Sequence, residues 1–138
     1  MKKRDDWQCE LHKFLTRAKK IPFEWGKWDC CIFADEAMQS IYGERVIPDD
    51  LKWDDEKTAR KAILRYGHGC LGRAVGRAAK AAGMTEVVMC APQKGDLVLH
   101  YVEGALAVGI YDGYAIASPS DNGVARSNVK MIAKAYRA

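Results

Sequence analysis

Residues 23–34 read FEWGKWDCCIFA, and they hold the residue types most able to do chemistry. Asp29 occupies the position of a helix N-cap, where a carboxylate oxygen accepts an otherwise orphaned amide of the first turn. Cys30 and Cys31 follow at the first helical positions, ahead of the apolar run Ile32, Phe33, Ala34, Ala37, Met38 and Ile41. A thiol at that place meets the positive end of the helix dipole, which favours thiolate over thiol. This is the arrangement a cysteine nucleophile needs. The same residues also read as an inert Cys pair on the core face of an ordinary helix, since free Cys is commonly buried.

A nucleophile needs a base, and the chain has three histidines, His12, His68 and His100. His12 shares a helix face with Lys13 and reads as solvated. His68 follows Gly67 in a helix-end loop, where it can cap carbonyls. Cys9-x-x-His12 and His68-x-Cys70 have zinc-ligand types, but their spacing is unusual and the halves lie far apart, so no metal site is assigned. Cys30-Cys31 as a redox pair ranks lower still, because a vicinal disulfide is strained and C-x-x-C spacing is absent. Asp29 reads as a cap and Asp96 as a residue fixing a strand start. Trp25, Trp28 and Trp53 read as core or cleft walls.

The elements that must position these residues fall into two halves. Apolar spacing predicts a first helix over 5–18, capped by Asp5 or Asp6 and stopped by Pro22. A second runs from Cys30 to about Tyr42, with Gly43 after it. A third covers about Asp54 to Tyr66 and a fourth about Leu71 to Ala82. Beyond Gly83 the period changes. Thr85–Met89, Asp96–Tyr101, Ala105–Tyr111 and Tyr114–Ser118 are strand-like. Glu103-Gly104 and Asp112-Gly113 read as tight hairpin turns, and Ser120–Gly123 as another. Val124–Val129 and Met131–Tyr136 supply final strands. The expectation is one α+β domain over 1–138, with helices over about 5–83 and an antiparallel meander over about 85–137.

Composition bounds the rest. The chain has 138 residues, enough for one core. The net charge of +4 is mild and its basic residues are interleaved with acidic ones, which argues for a solvated surface over a nucleic-acid stripe. MKKRDDW is followed by no apolar signal-peptide segment, and no run approaches a membrane span. The five cysteines are odd in number and irregularly spaced, so reduced thiols and production in a cytoplasm are expected.

Several segments together resemble the NlpC-type papain-like cysteine peptidases. Phe23-x-Trp25-Gly26 is similar to that family's aromatic-x-Trp-Gly segment, and Asp29-Cys30 to its Asp-Cys dipeptide, which makes Cys30 the nucleophile position. Gly95-Asp96-Leu97-Val98 resembles the start of its first central strand. Val108-Gly109-Ile110-Tyr111 resembles the strand that carries its histidine. The likeness spans about residues 20–118. It is nearest to short NlpC-like proteins encoded among tail genes of tailed bacteriophages, which share the Trp-Gly-x-x-Asp-Cys-Cys-x-Phe-Ala run.

The resemblance implies a papain-like fold and a virion protein at the tail tip or in tail assembly. Its partners would be the hub, distal tail and tape-measure proteins. Peptidoglycan would be the substrate if the site is active, and no cofactor is implied. The pattern also departs from the family. Ala107 stands where the histidine would precede Val-Gly-Ile-Tyr. Ala115, Ile116 and Ala117 occupy the region of the third polar residue, and Cys31 and Ile32 replace the usual serine and glycine.

His100 is the candidate substitute base. If Glu103-Gly104 is a two-residue turn, His100 pairs with Ala107, and opposed residues project from one face with Cβ atoms roughly 4.5–5.5 Å apart. Two readings remain: a structural tail protein with a degenerate site, and an active cysteine peptidase or amidase using Cys30 with His100.

Overall fold

The computed structural model describes residues 1–88 and 91–138. Met89, the expected end of the first strand, and Cys90 lie outside the described residues. Four helices come first: α1 (Trp7–Ala18), α2 (Cys30–Tyr42), α3 (Glu56–Tyr66) and α4 (Leu71–Ala81). Six strands follow: β1 (Thr85–Glu86), β2 (Leu97–Val102), β3 (Ala105–Tyr111), β4 (Ile116–Ser120), β5 (Gly123–Ser127) and β6 (Ile132–Arg137). The class is α+β, as the change of period predicts.

Local chemistry explains the helix ends. Asp29 caps α2 by accepting from the Ile32 amide at 3.0 Å, and Gly43 closes it in the left-handed region. Asp55 and Thr58 form a reciprocal capping box that starts α3. α1 differs from expectation. Asp6 stands at its N-cap but makes no side-chain cap, because its carboxylate is paired with Arg4 at 2.9 Å. The Cys70 thiol takes the cap role on α4, accepting from the Arg73 amide at 3.4 Å.

The sheet is antiparallel with order β1-β6-β2-β3-β4-β5. β2 to β5 form the expected meander, but β6 departs from it. It returns across the sheet to pair with β2 and β1. Arg137 at its end holds Asp96 through two 2.7 Å contacts, which fixes the start of β2. The Glu103-Gly104 turn forms as read, with both residues at positive φ (50° and 82°). The next turn shifts by one: Asp112 pairs with Ala115 around Gly113-Tyr114. Residues 129–131 form a 3-10 turn, so β5 ends earlier than expected and β6 starts one residue later.

The main core lies between α2 and one face of the sheet. Leu11, Phe14, Phe33, Met38 and Ile41 meet Leu97, Leu99, Val108 and Ile110 there. Trp28, read as core or cleft wall, belongs to this core. It is 8% exposed and tilts against Phe14 and Phe33 at centroid distances of 6.0 and 5.8 Å. The opposite face holds a second cluster of Val98, Ile116 and Ala135.

Candidate functional site

Asp29 is the hinge pin of the site. It is 2% exposed, and its two oxygens accept from the Ile32 and Gly26 amides (3.0 Å each) and from Trp53 Nε1 (2.7 Å). One carboxylate therefore starts α2, closes the aromatic loop before it and anchors the segment leading to α3. Gly26 is required at that junction. Its φ is +80°, and a Cβ there would run into the Asp54 backbone. The Trp-Gly pair thus reads physically: Gly26 lets two chain segments touch, and Trp25 packs edge-on against Phe23 at 5.2 Å.

Cys30 follows at the head of α2, half-buried, at one end of a cleft of about 900 Å3. Trp25, Trp53 and Cys31 line the cleft beside it. α3 contributes Lys57, Arg60 and Lys61. The sheet opens to form the opposite side. β3 pairs with β4 only at Ile110–Ala117 and Tyr111–Ile116, after which the strands part. Ala105, Leu106 and Ala107 then line the cleft from one strand, and Ser118, Pro119 and Ser120 from the other. The volume lies within the range of small-molecule and peptide sites.

The two vicinal thiols are driven apart in acidity. The Cys31 thiol hydrogen-bonds to Cys30 and lowers its pKa; burial opposes this, and the Val108 backbone assists it. Cys31 is pushed well up by the same bond, with burial adding to it. Cys30 is therefore the thiol poised toward thiolate. The thiols of Cys9, Cys30, Cys31 and Cys70 are free.

His100 stands directly opposite Ala107, as a two-residue turn at Glu103-Gly104 requires. Alternation along β2 puts it on the Val98 face, away from the Leu97 and Leu99 side chains that pack beneath α2. Its ring lies against β3 at Gly109, where a Cβ would come within 3.2 Å of Nε2 and 2.7 Å of Ile116 Cγ2. The glycine of Val-Gly-Ile-Tyr is thus space for an imidazole. His100 is fully buried, and neither ring nitrogen has a hydrogen-bond partner. Burial lowers its pKa; the Val108 backbone, close by but short of hydrogen-bond geometry, raises it in part. Cys30 and His100 therefore approach the same Val108 backbone, but no hydrogen bond joins them.

The remaining candidates are dispersed. Trp25 lines the cleft, and Trp28 belongs to the core. His12 is exposed on α1, and His68 is exposed at positive φ (51°) between α3 and α4. Among the described residues no three His, Cys, Asp or Glu side chains group as a metal site. Nor is any helix among them long and apolar enough to cross a membrane.

Sequence reasoning missed Asp35. It is 5% exposed and accepts from the Val46 and Ile47 amides (2.6 and 2.9 Å) and from Arg45 (3.0 Å), strapping the 43–53 connection onto α2. An Asp amid an apolar helical run was the available signal. Trp53 as the partner of Asp29 had none, because 24 residues separate them.

No curated protein matches the chain. A domain of unknown function, DUF6950, matches residues 2–138, so the chain belongs to the DUF6950 family.

Proposed function

We propose that this chain is an NlpC-like, papain-type domain of a bacteriophage tail, at the tail tip or in tail assembly, whose thiol site has lost full catalysis. The observation that carries the reading is the missing pair. Cys30 occupies a nucleophile's place at a helix head beside an open cleft, yet Ala107 stands at the histidine position and the His100 ring is buried against Gly109 with no hydrogen bond to Cys30. Amide hydrolysis needs a base to form the thiolate and an acid to protonate the leaving amine. A lowered thiol pKa supplies the first need only. The cleft then serves as a binding surface for tail components such as hub, distal tail or tape-measure proteins.

A second reading, an active cysteine peptidase or amidase acting on peptidoglycan peptides, is favoured by the place of Cys30 at the helix head beside the cleft, where the Cys31 thiol pulls its pKa below the usual thiol value. One experiment separates the two. Purified protein and Cys30→Ala are incubated with muropeptides, and new termini are counted by mass spectrometry. The degenerate reading expects no difference. Turnover that requires Cys30 overturns it. Proteomics of purified tail particles tests the tail assignment; absence of the chain from both particles and assembly intermediates would sink it.

A further inference from the structure

The cleft has an apolar annex. A cavity of about 70 Å3 lies between α2, the 43–53 connection, α3 and α4. Its walls include Met38 from α2, Leu51 from the connection, Ala62 from α3, and Ala74, Val75 and Ala78 from α4. The one carboxylate among its lining residues, on Asp35, is already engaged by Arg45 and two backbone amides. Cys31, Trp53, Ile63 and Leu71 line both the cavity and the cleft, so the two spaces adjoin across a shared wall beside the thiols.

Protein interiors are close-packed, with few voids larger than a water molecule. An apolar void offers water no hydrogen-bond partners and stays dry. This space is partly open rather than sealed, and α4 lines it with the small side chains of Ala74 and Ala78, where larger ones would fill it. Outside it, Ala105, Leu106 and Ala107 line the cleft from a stretch of β3 that has no pairing to β4, leaving backbone groups free for an amide.

We propose that the cavity is a binding pocket for a small aliphatic group, of leucine side-chain size, carried on an amide-containing ligand whose polar part lies in the cleft at Cys30. This rests on the reading of the cleft as a ligand site. The aliphatic group supplies burial and the β3 edge supplies orientation. Filling the cavity from α4 should abolish the preference without touching the thiol.

Cys30 itself provides the test. Methyl and isobutyl methanethiosulfonates each react with the thiolate, which attacks their sulfenyl sulfur, displaces methanesulfinate and takes the alkylthio group as a mixed disulfide. Labelling is followed by peptide-resolved mass spectrometry, with Cys31→Ser to assign the site. The isobutyl reagent should label Cys30 at least about tenfold faster, the scale on which an apolar pocket discriminates small alkyl differences. Ala78→Leu, or Ala62→Val if that variant does not fold, should bring the ratio to about one with the methyl rate unchanged. Equal rates in the unsubstituted protein overturn the pocket alone. If neither reagent reaches Cys30, the reading of the cleft as an open thiol site falls. The pocket is then decided by NMR titration with isobutanol. Shifts at the Ile63, Leu71 and Val75 methyls that vanish in Ala78→Leu support it, and their absence overturns it.

Discussion

Asp29, which lines the cleft, and His100, buried against Gly109 of β3, are both fully buried polar residues, and they are treated in opposite ways. Every acceptor position the Asp29 carboxylate needs is filled, by two amides and an indole. Both ring nitrogens of His100 are orphaned among Val98, Ile116 and Gly109. A buried polar group left unpaired costs about 1–3 kcal/mol, whereas a paired one contributes. The thiol side of the site is therefore a built and rigid piece of the fold. The imidazole side is tolerated by it. A working dyad would show polar satisfaction on both sides, and this asymmetry is what the proposed loss of catalysis rests on.

The comparison can be broken most severely at Asp29. Asp29→Ala removes a cap and strands the Gly26 amide and the Trp53 indole N–H, and should cost about 3 kcal/mol by urea denaturation. A cost below about 1 kcal/mol would mean that the carboxylate is not the junction described here.

His100→Leu should leave stability at pH 7 unchanged or raise it by about 1 kcal/mol, since it removes an unsatisfied group without opening a large cavity. The same variant carries a pH signature. Burial lowers the folded-state pKa of His100 below the ordinary 6.5, so the unfolded chain takes up the proton first. Stability from the neutral ring is complete above pH 6.5. It is lost as the pH falls from there through the lowered folded value. Melting curves between pH 7.5 and 5 (~2.5 pH units spanning the His range) should show this fall in the natural chain and a flatter profile in His100→Leu. A natural chain with no acid-side loss would mean the ring is solvated.

A smaller effect sharpens the thiol side. The rate of Cys30 alkylation against pH should show a midpoint below the ordinary 9.0. Cys31→Ala should move it back up, because the Cys31 hydrogen bond is the largest cause of the shift. An unmoved midpoint would leave the helix head as the source. Smallest of all, Glu103→Asn should stabilise by a few tenths of a kcal/mol in thermal melts. Glu103 sits at φ 50°, where Asn is more at ease, in the hairpin that sets His100 opposite Ala107.

Much of this was legible in the sequence because it is local. The ends of α2 follow from Asp29, an apolar run and Gly43, all within one stretch of chain. The pairing of His100 with Ala107 follows from a two-residue turn and the strict alternation of strands. α1 was misread at its cap because Arg4, two residues away, competes for Asp6. Sequence likewise marks Cys30 as the chemically interesting thiol, and the family resemblance marks Ala107 as the position where a histidine would stand.

What tertiary structure alone decided are the long-range matters. β6 returns to pair with β2, and Arg137 reaches Asp96 across 41 residues. Trp28 turns inward to Phe14 and Phe33, while Trp53 crosses to Asp29. Most consequentially, the face that His100 occupies relative to α2 depends on which side of the sheet the helices cover. A period-two pattern tells which residues share a face but not what packs against it, because that contact is made between segments whose approach no local propensity encodes.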